Sequence, residues 1–182
     1  MNKVVKTVLL VTHPTRSEAI STANELTKLL TDKQINVFAT IKTDGANDFK
    51  ATDQIDLAVV LGGDGTMLRA AEIFRGKQVP ILGINLGHVG FLAEIERPSL
   101  SEIVDAIVSG TFSIEERMSL NYQLLRDGKV IQSGWALNEV LVERNDHQMI
   151  DLFVQIDHRP LSRWWCDAVI CATPTGSTAY AY

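Results

Sequence analysis

The residues of this chain best suited to chemistry stand in a glycine turn, Gly62-Gly63-Asp64-Gly65-Thr66. An apolar run, Leu57 to Leu61, precedes it and an amphipathic one, Met67 to Phe74, follows, so the pattern predicts a strand, a turn and a helix start. Backbone N–H groups at a helix N-terminus suit a phosphate. A carboxylate in the same turn repels that phosphate, which assigns Asp64 to chemistry or to a metal rather than to the cradle. Read alone, Asp64 is equally an Asx-turn residue capping the helix. The spacing departs from G-x-G-x-x-G, and no G-x-x-x-x-G-K-[ST] loop occurs.

Three further segments set polar or glycine residues in apolar surroundings. Asn85 to Phe91 is a glycine loop after the apolar run Val79 to Ile84, and it reads equally as a tight connection. Like the Gly62 turn, it lies beyond the carboxyl end of a strand, where parallel sheets bind ligands. Asn138-Glu139 falls inside the strand pattern Trp135 to Val142. Strand neighbours face opposite sides, so one ligand reaches both only at a bulge or around an edge; otherwise they are solvent-facing edge residues. Asp167 precedes Ala168 to Ala172 and then Thr173-Pro174-Thr175-Gly176-Ser177-Thr178-Ala179-Tyr180, whose turn formers also fit a plain β-turn. His13, His88, His147 and His158 read as solvated loop or turn residues with no metal set around them, and Met118, Met149, Trp135 and Trp164 as packing residues.

The elements that must position these residues change character along the chain. Val4 to Val11 is a continuous apolar run, as in a strand covered on both faces. Thr15 to Glu18 has capping-box spacing, and Ala19, Ile20, Ala23, Leu26 and Leu30 repeat at helical intervals. Gln34 to Ile41, Asp56 to Leu61 and Val79 to Ile84 read as strands, Thr66 to Phe74 as a helix, and Lys42 to Gln54 as a surface loop. Ser99 to Glu102 is a second capping box, followed by Leu100, Ile103, Val104 and Ile107 on one face and by Gly110 as the stop. Strands alternating with helices predict a mostly parallel sheet. After Gly110 no helix of convincing length follows. Asp127-Gly128 marks a hairpin, Val130 to Val142 and Asp151 to Ile156 read as strands, and Asp157 to Pro160 as a turn. The expected division is an α/β domain over 1–117 and a β-rich domain over 118–182, the latter an open, incomplete sheet belonging to a longer protein.

Composition narrows the classes. A net charge of −5 gives no overall field favouring nucleic acid or an anionic membrane. Val8 to Val11 is too short for a signal-peptide core and no run reaches transmembrane length, so a soluble cytoplasmic protein is expected. Cys166 and Cys171 fall on opposite faces of a strand, which predicts two reduced, buried thiols and neither a disulfide frame nor a zinc site.

Together the four segments resemble the NAD kinase family, over nearly the whole chain, from Val8 to Tyr182. Its patterns are GGDGT, N-[LR]-G-x-x-G-F-L, N-E and D-G-x-x-x-[AS]-T-P-[TS]-G-[ST]-T-A-Y. They stand here as Gly62 to Thr66, Asn85 to Leu92, Asn138-Glu139 and Asp167 to Tyr180. GGDG also resembles lipid kinases and phosphofructokinases; the last block is far more specific. Gly134 to Glu139 looks most like actinobacterial members.

The resemblance implies a NAD kinase/diacylglycerol kinase-like fold: an N-terminal α/β domain with a mostly parallel sheet and flanking helices, then an incomplete β-rich NAD-binding domain. It implies transfer of the ATP γ-phosphoryl group to the 2′-hydroxyl of the adenosine ribose of NAD, giving NADP, with Asp64 as base. It places nucleotide contacts on Gly62, Gly63, Gly65, Thr66, Arg69, Asn85, Asn138, Glu139, Asp167, Thr175, Thr178, Ala179 and Tyr180. The amides of Gly62, Gly63 and Gly65 would hold phosphate oxygens, and magnesium would bridge the ATP phosphates. Full-length members form homodimers or homotetramers. Two departures stand out: Ala168 replaces the family's glycine, with strain if that position needs a positive φ, and Trp164-Trp165 replaces polar or small residues. Rival readings are a lipid- or sugar-type kinase sharing the GGDG turn and a non-catalytic NADP-binding module.

Overall fold

Apolar residues that alternate between two covered faces build the first part of the molecule. The computed structural model describes residues 4–41, 47–50, 53–86, 95–96 and 99–182. They divide into two compact units, Met1–Glu115 and Glu116–Tyr182. In the first, β1 (Thr7–Thr12), β2 (Asn36–Ala39), β3 (Asn47–Asp48), β4 (Leu57–Leu61), β5 (Ile81–Asn85) and β6 (Ile95–Glu96) form one sheet in the order β3-β2-β1-β4-β5-β6. Every pairing in it is parallel. The helices are α1 (Ser17–Asp32), α2 (Asp64–Ile73) and α3 (Leu100–Ser109).

On one face of the sheet Val8, Leu10, Val59 and Leu61 pack with Ala19, Ala23, Leu26 and Leu30 of α1 and Ile103, Val104 and Ile107 of α3. On the other, Leu9, Val11, Ala58 and Val60 pack with Ala70 of α2 and with Phe74. Fully burying one such Leu or Val is worth roughly 1.5–3 kcal/mol, and the central strands contribute many. The Ser99–Glu102 capping box is present, and Gly110 ends α3 in the left-handed conformation, both as the sequence predicts. Thr15 does not cap α1: the N-cap is Arg16, and no side chain closes that end. The polar stretch taken as a loop contributes an edge strand, since Asn47 and Asp48 pair with Phe38 and Ala39.

The second unit is built of antiparallel pairs, two of them hairpins. These join β7 (Leu120–Arg126) to β8 (Lys129–Ala136), β9 (Glu139–Glu143) to β12 (Ala168–Ala172), and β10 (Ile150–Ile156) to β11 (Arg159–Cys166). The Asp127-Gly128 hairpin forms with positive φ at both residues, as expected of that dipeptide. Strand β11 is hidden in the sequence by Pro160; the proline fits because it sits where the register shifts at Val154/Gln155. Ala168 lies within β12 and has no positive φ, so the conditional strain at that position does not arise. Among the described residues no helix is long and apolar enough to cross a membrane.

Two packing expectations are corrected. Cys171 is exposed and Cys166 half-buried rather than both buried, because these strand pairs have little covering them. For the same reason Met118, Met149 and Trp164 are exposed rather than packed.

Candidate functional site

The order of the sheet sets the cluster in the first unit. From β1 the chain winds outward through β2 and β3, then crosses to β4 and winds the other way. Such a reversal leaves a crevice at the carboxyl ends of the two central strands. The Gly62–Thr66 turn leaves the carboxyl end of β4 at that point.

Its glycines serve space, not φ, since none of Gly62, Gly63 and Gly65 has a positive φ. A Cβ on Gly62 would lie 2.5 Å from Thr66 Oγ1. The Gly62 N–H donates to the Ile84 carbonyl at 3.3 Å, which pins the turn to β5. That amide is therefore not available to a phosphate, a correction to the expected three-amide cradle. Around Gly63 and Gly65 a Cβ would meet no atom within 4 Å, so open space faces the start of the helix. The Thr66 and Met67 amides donate back to the Gly63 carbonyl, at 2.9 and 3.2 Å. At this helix end the amides of Gly63 and Gly65 carry no backbone acceptor among the described residues.

Asp64 is the first residue of α2, and Gly63 holds the N-cap position without a side-chain cap. The carboxylate sits where the helix dipole favours negative charge, an effect of about 0.3–1 kcal/mol. Helix α2 begins two residues earlier than the sequence pattern suggests, which brings Asp64 onto its first turn. Thr66 is buried beneath Gly62, and Arg69 is exposed further along α2. Asn85 is buried at the carboxyl end of β5, level with the turn through the Leu61–Ile84 pair. The rest of the expected Asn85–Phe91 loop beyond Leu86, with His88, lies outside the described residues. Thr12, which sequence reasoning passed over, pairs with Leu61 at the end of β1; its Oγ1 is buried without a partner among the described residues.

The second unit carries its own cluster, built on the β9–β12 ladder. The expected continuous strand Trp135–Val142 breaks: β8 stops at Ala136 and β9 starts at Glu139, with Leu137 and Asn138 in the bend between. The break removes the difficulty of two strand neighbours facing opposite sides. Asn138 Oδ1 and Glu139 Oε2 are both shut away from solvent with no hydrogen-bond partner among the described residues. An unsatisfied buried polar atom costs roughly 1–3 kcal/mol. Both atoms are acceptors, so together they select a partner rich in N–H or O–H donors.

The Thr173–Tyr180 block continues from β12 and returns to the same place. Thr173 N–H donates to the Asn138 carbonyl at 2.8 Å, and Thr173 Oγ1 donates to the Leu137 carbonyl at 2.6 Å. Gly176–Thr178 is a 3₁₀ turn; Thr175 and Ala179 beside it are half-buried, while Thr178 and Tyr180 are exposed. Asp167 is not brought to this cluster. It precedes the opposite end of β12, about 20 Å away at strand spacing, and forms an ion pair with Arg144 at 2.8 Å. Elsewhere in the unit, the Arg163 hydrogen bond holds the Asp151 carboxyl below its ordinary value. Among the described residues no three His, Cys, Asp or Glu side chains gather as a metal cage.

Comparison with known proteins addresses both units. The sequence model of the ATP-NAD kinase N-terminal domain matches residues 8–112, and that of the ATP-NAD kinase C-terminal domain matches residues 137–182. The NAD kinase of Corynebacterium diphtheriae is 43% identical over 192 residues, covering 96% of this chain and 61% of the relative. That of Thermobifida fusca is 42% identical over 197 residues, covering 97% and 60%. The chain thus spans about six tenths of the length of these relatives. Among solved structures, yeast NADH kinase complexed with NADH shares the fold at a TM-score of 0.86 and 24% identity, over 98% of this chain and 60% of that one. An Archaeoglobus fulgidus NAD kinase in complex with ATP matches at 0.67 and 27% identity, over 96% and 63%.

Proposed function

The chain belongs to the ATP-NAD kinase family, and on that premise we propose that the protein containing it transfers the γ-phosphoryl group of ATP to the 2′-hydroxyl of the adenosine ribose of NAD, giving NADP. The observation that carries this is the pair of buried acceptors Asn138 Oδ1 and Glu139 Oε2, unpartnered among the described residues. An adenosine ribose and its base supply the hydroxyl and amino donors that this pair lacks. NADH and ATP in the yeast and archaeal complexes are the same chemical classes of ligand.

In this reading Asp64 accepts the proton of the ribose hydroxyl as the new P–O bond forms. Gly63 and Gly65 face nucleotide phosphate oxygens with their amides, and Arg69 reaches a phosphate from the same helix. Thr66 and Asn85 support that turn. Thr175, Thr178, Ala179 and Tyr180 line the dinucleotide, while Asp167, paired with Arg144 at the far end of β12, is left out of this contact set. Magnesium enters with ATP as part of the substrate, where it neutralises phosphate charge. A cytoplasmic homo-oligomer is the setting we propose for the whole enzyme.

The test is incubation of the full-length protein with labelled ATP and, separately, NAD, a diacylglycerol and a sugar phosphate. Label appearing in NADP supports the reading. Label confined to the lipid or the sugar overturns it, and tight NADP binding without turnover identifies a non-catalytic module.

A further inference from the structure

We propose that Thr173, together with Gly176, is a positioning residue that sets the dinucleotide-binding bend, rather than a turn former of no further consequence. Thr173 is 1% exposed, among the most buried residues of its unit. Its hydroxyl is committed in both directions: it donates to the Leu137 carbonyl at 2.6 Å and accepts from the Gly176 N–H at 3.0 Å. Its own N–H takes the Asn138 carbonyl. One side chain thus ties the bend that carries Asn138 and Glu139 to the turn that carries Thr175, Thr178 and Tyr180.

Gly176 completes the clasp by its lack of a side chain. A Cβ there would stand 2.0 Å from the Asn138 carbonyl oxygen and 2.6 Å from Asn138 Cα. The contact is with backbone, which has no rotamer to yield. The two motifs are therefore held at one fixed separation, with the unpartnered Asn138 Oδ1 and Glu139 Oε2 beside the join. A hydroxyl that donates to one segment and accepts from another has two neighbours that would be left unpaired by its removal.

The inference rests on the functional reading above and predicts that Thr173 acts on the NAD side of the reaction alone. In the full-length enzyme Thr173→Val keeps the shape and removes the hydroxyl. Its KM for NAD should rise about tenfold or more, as expected for loss of a buried hydrogen-bonded group. KM for ATP should stay within about twofold, and Thr173→Ser should restore the NAD value. The Gly176 amide should exchange with solvent faster in the Val variant and at the parent rate in the Ser variant. A Val variant with unchanged KM for NAD overturns the proposal. So do equal rises in both KM values, which mean general loosening, and a Ser variant as impaired as Val, which means packing rather than the hydroxyl. If the parent enzyme makes no NADP, the functional reading has failed on its own. Exchange at Gly176 then still decides: protection retained in Thr173→Val overturns the clasp.

Discussion

The two units of this molecule hold their functional residues by different means. In the first, residues such as Leu9, Leu10, Val59 and Val60 have no exposed surface, and the Gly62 turn springs from a strand buried along its whole length. In the second, Leu124, Leu125, Val130, Phe153 and Trp165 are each at least half exposed, and the most buried positions are Thr173 and Gly176. An apolar core positions the candidate base; a hydrogen-bonded clasp positions the candidate NAD contacts. Core packing is non-directional and tolerates polar change at the surface. A clasp depends on particular donors and acceptors, and the loss of one is felt at once.

Chemistry gives the largest expected break between the units. Asp64→Asn in the full-length enzyme should lower NADP formation about 100-fold or more, the range for loss of a general base. NAD binding, measured by calorimetry, should remain, because most of the proposed NAD contacts lie in the other unit. Substantial turnover by this variant would remove Asp64 from the role. A matched pair comes next. Leu10→Ala should cost about 2–5 kcal/mol by denaturant titration, while Leu125→Ala, at 53% exposure, should cost under about 1 kcal/mol. Equal losses would erase the contrast in packing. Smaller again is Ser99→Ala, which opens the α3 capping box and should lower stability by about 1 kcal/mol, with no effect on KM for NAD.

Acid sensitivity should be the smallest effect. The folded Asp151 carboxyl titrates below its unfolded value because Arg163 hydrogen-bonds it. Its contribution is therefore present above the unfolded value and disappears as pH falls through the lowered folded one. Both side chains are solvent-accessible, so screening keeps the contribution slight. An NMR titration should find the Asp151 midpoint below the usual carboxylate range, and Arg163→Gln should move it back up.

Legibility divided along a different line, between local pattern and remote partner. The Ser99 capping box, the Gly110 stop, the apolar strands β1 and β4 and the Asp127-Gly128 hairpin are local patterns, and the chain adopts them where they stand. Local pattern failed where a distant partner decided the outcome. Pro160 masks β11 because the register shift that accommodates it is a cross-strand event. The exposure of Cys171 is not legible locally, because burial of a strand depends on what covers it.

What the amino-acid order determined is the alternation of elements, the four motifs and the chemistry their residue types allow, since backbone propensity and side-chain chemistry are properties of short segments. The tertiary structure alone decided that the Gly62 amide is spent on Ile84, that the strand breaks at Leu137–Asn138, that Asp167 pairs with Arg144 at the far end of its strand, and that Thr173 joins two motifs 35 residues apart in sequence (Asn138 to Thr173). Each of these is a hydrogen bond or a contact between segments remote along the chain, and such partners become neighbours only when the sheet pairings close.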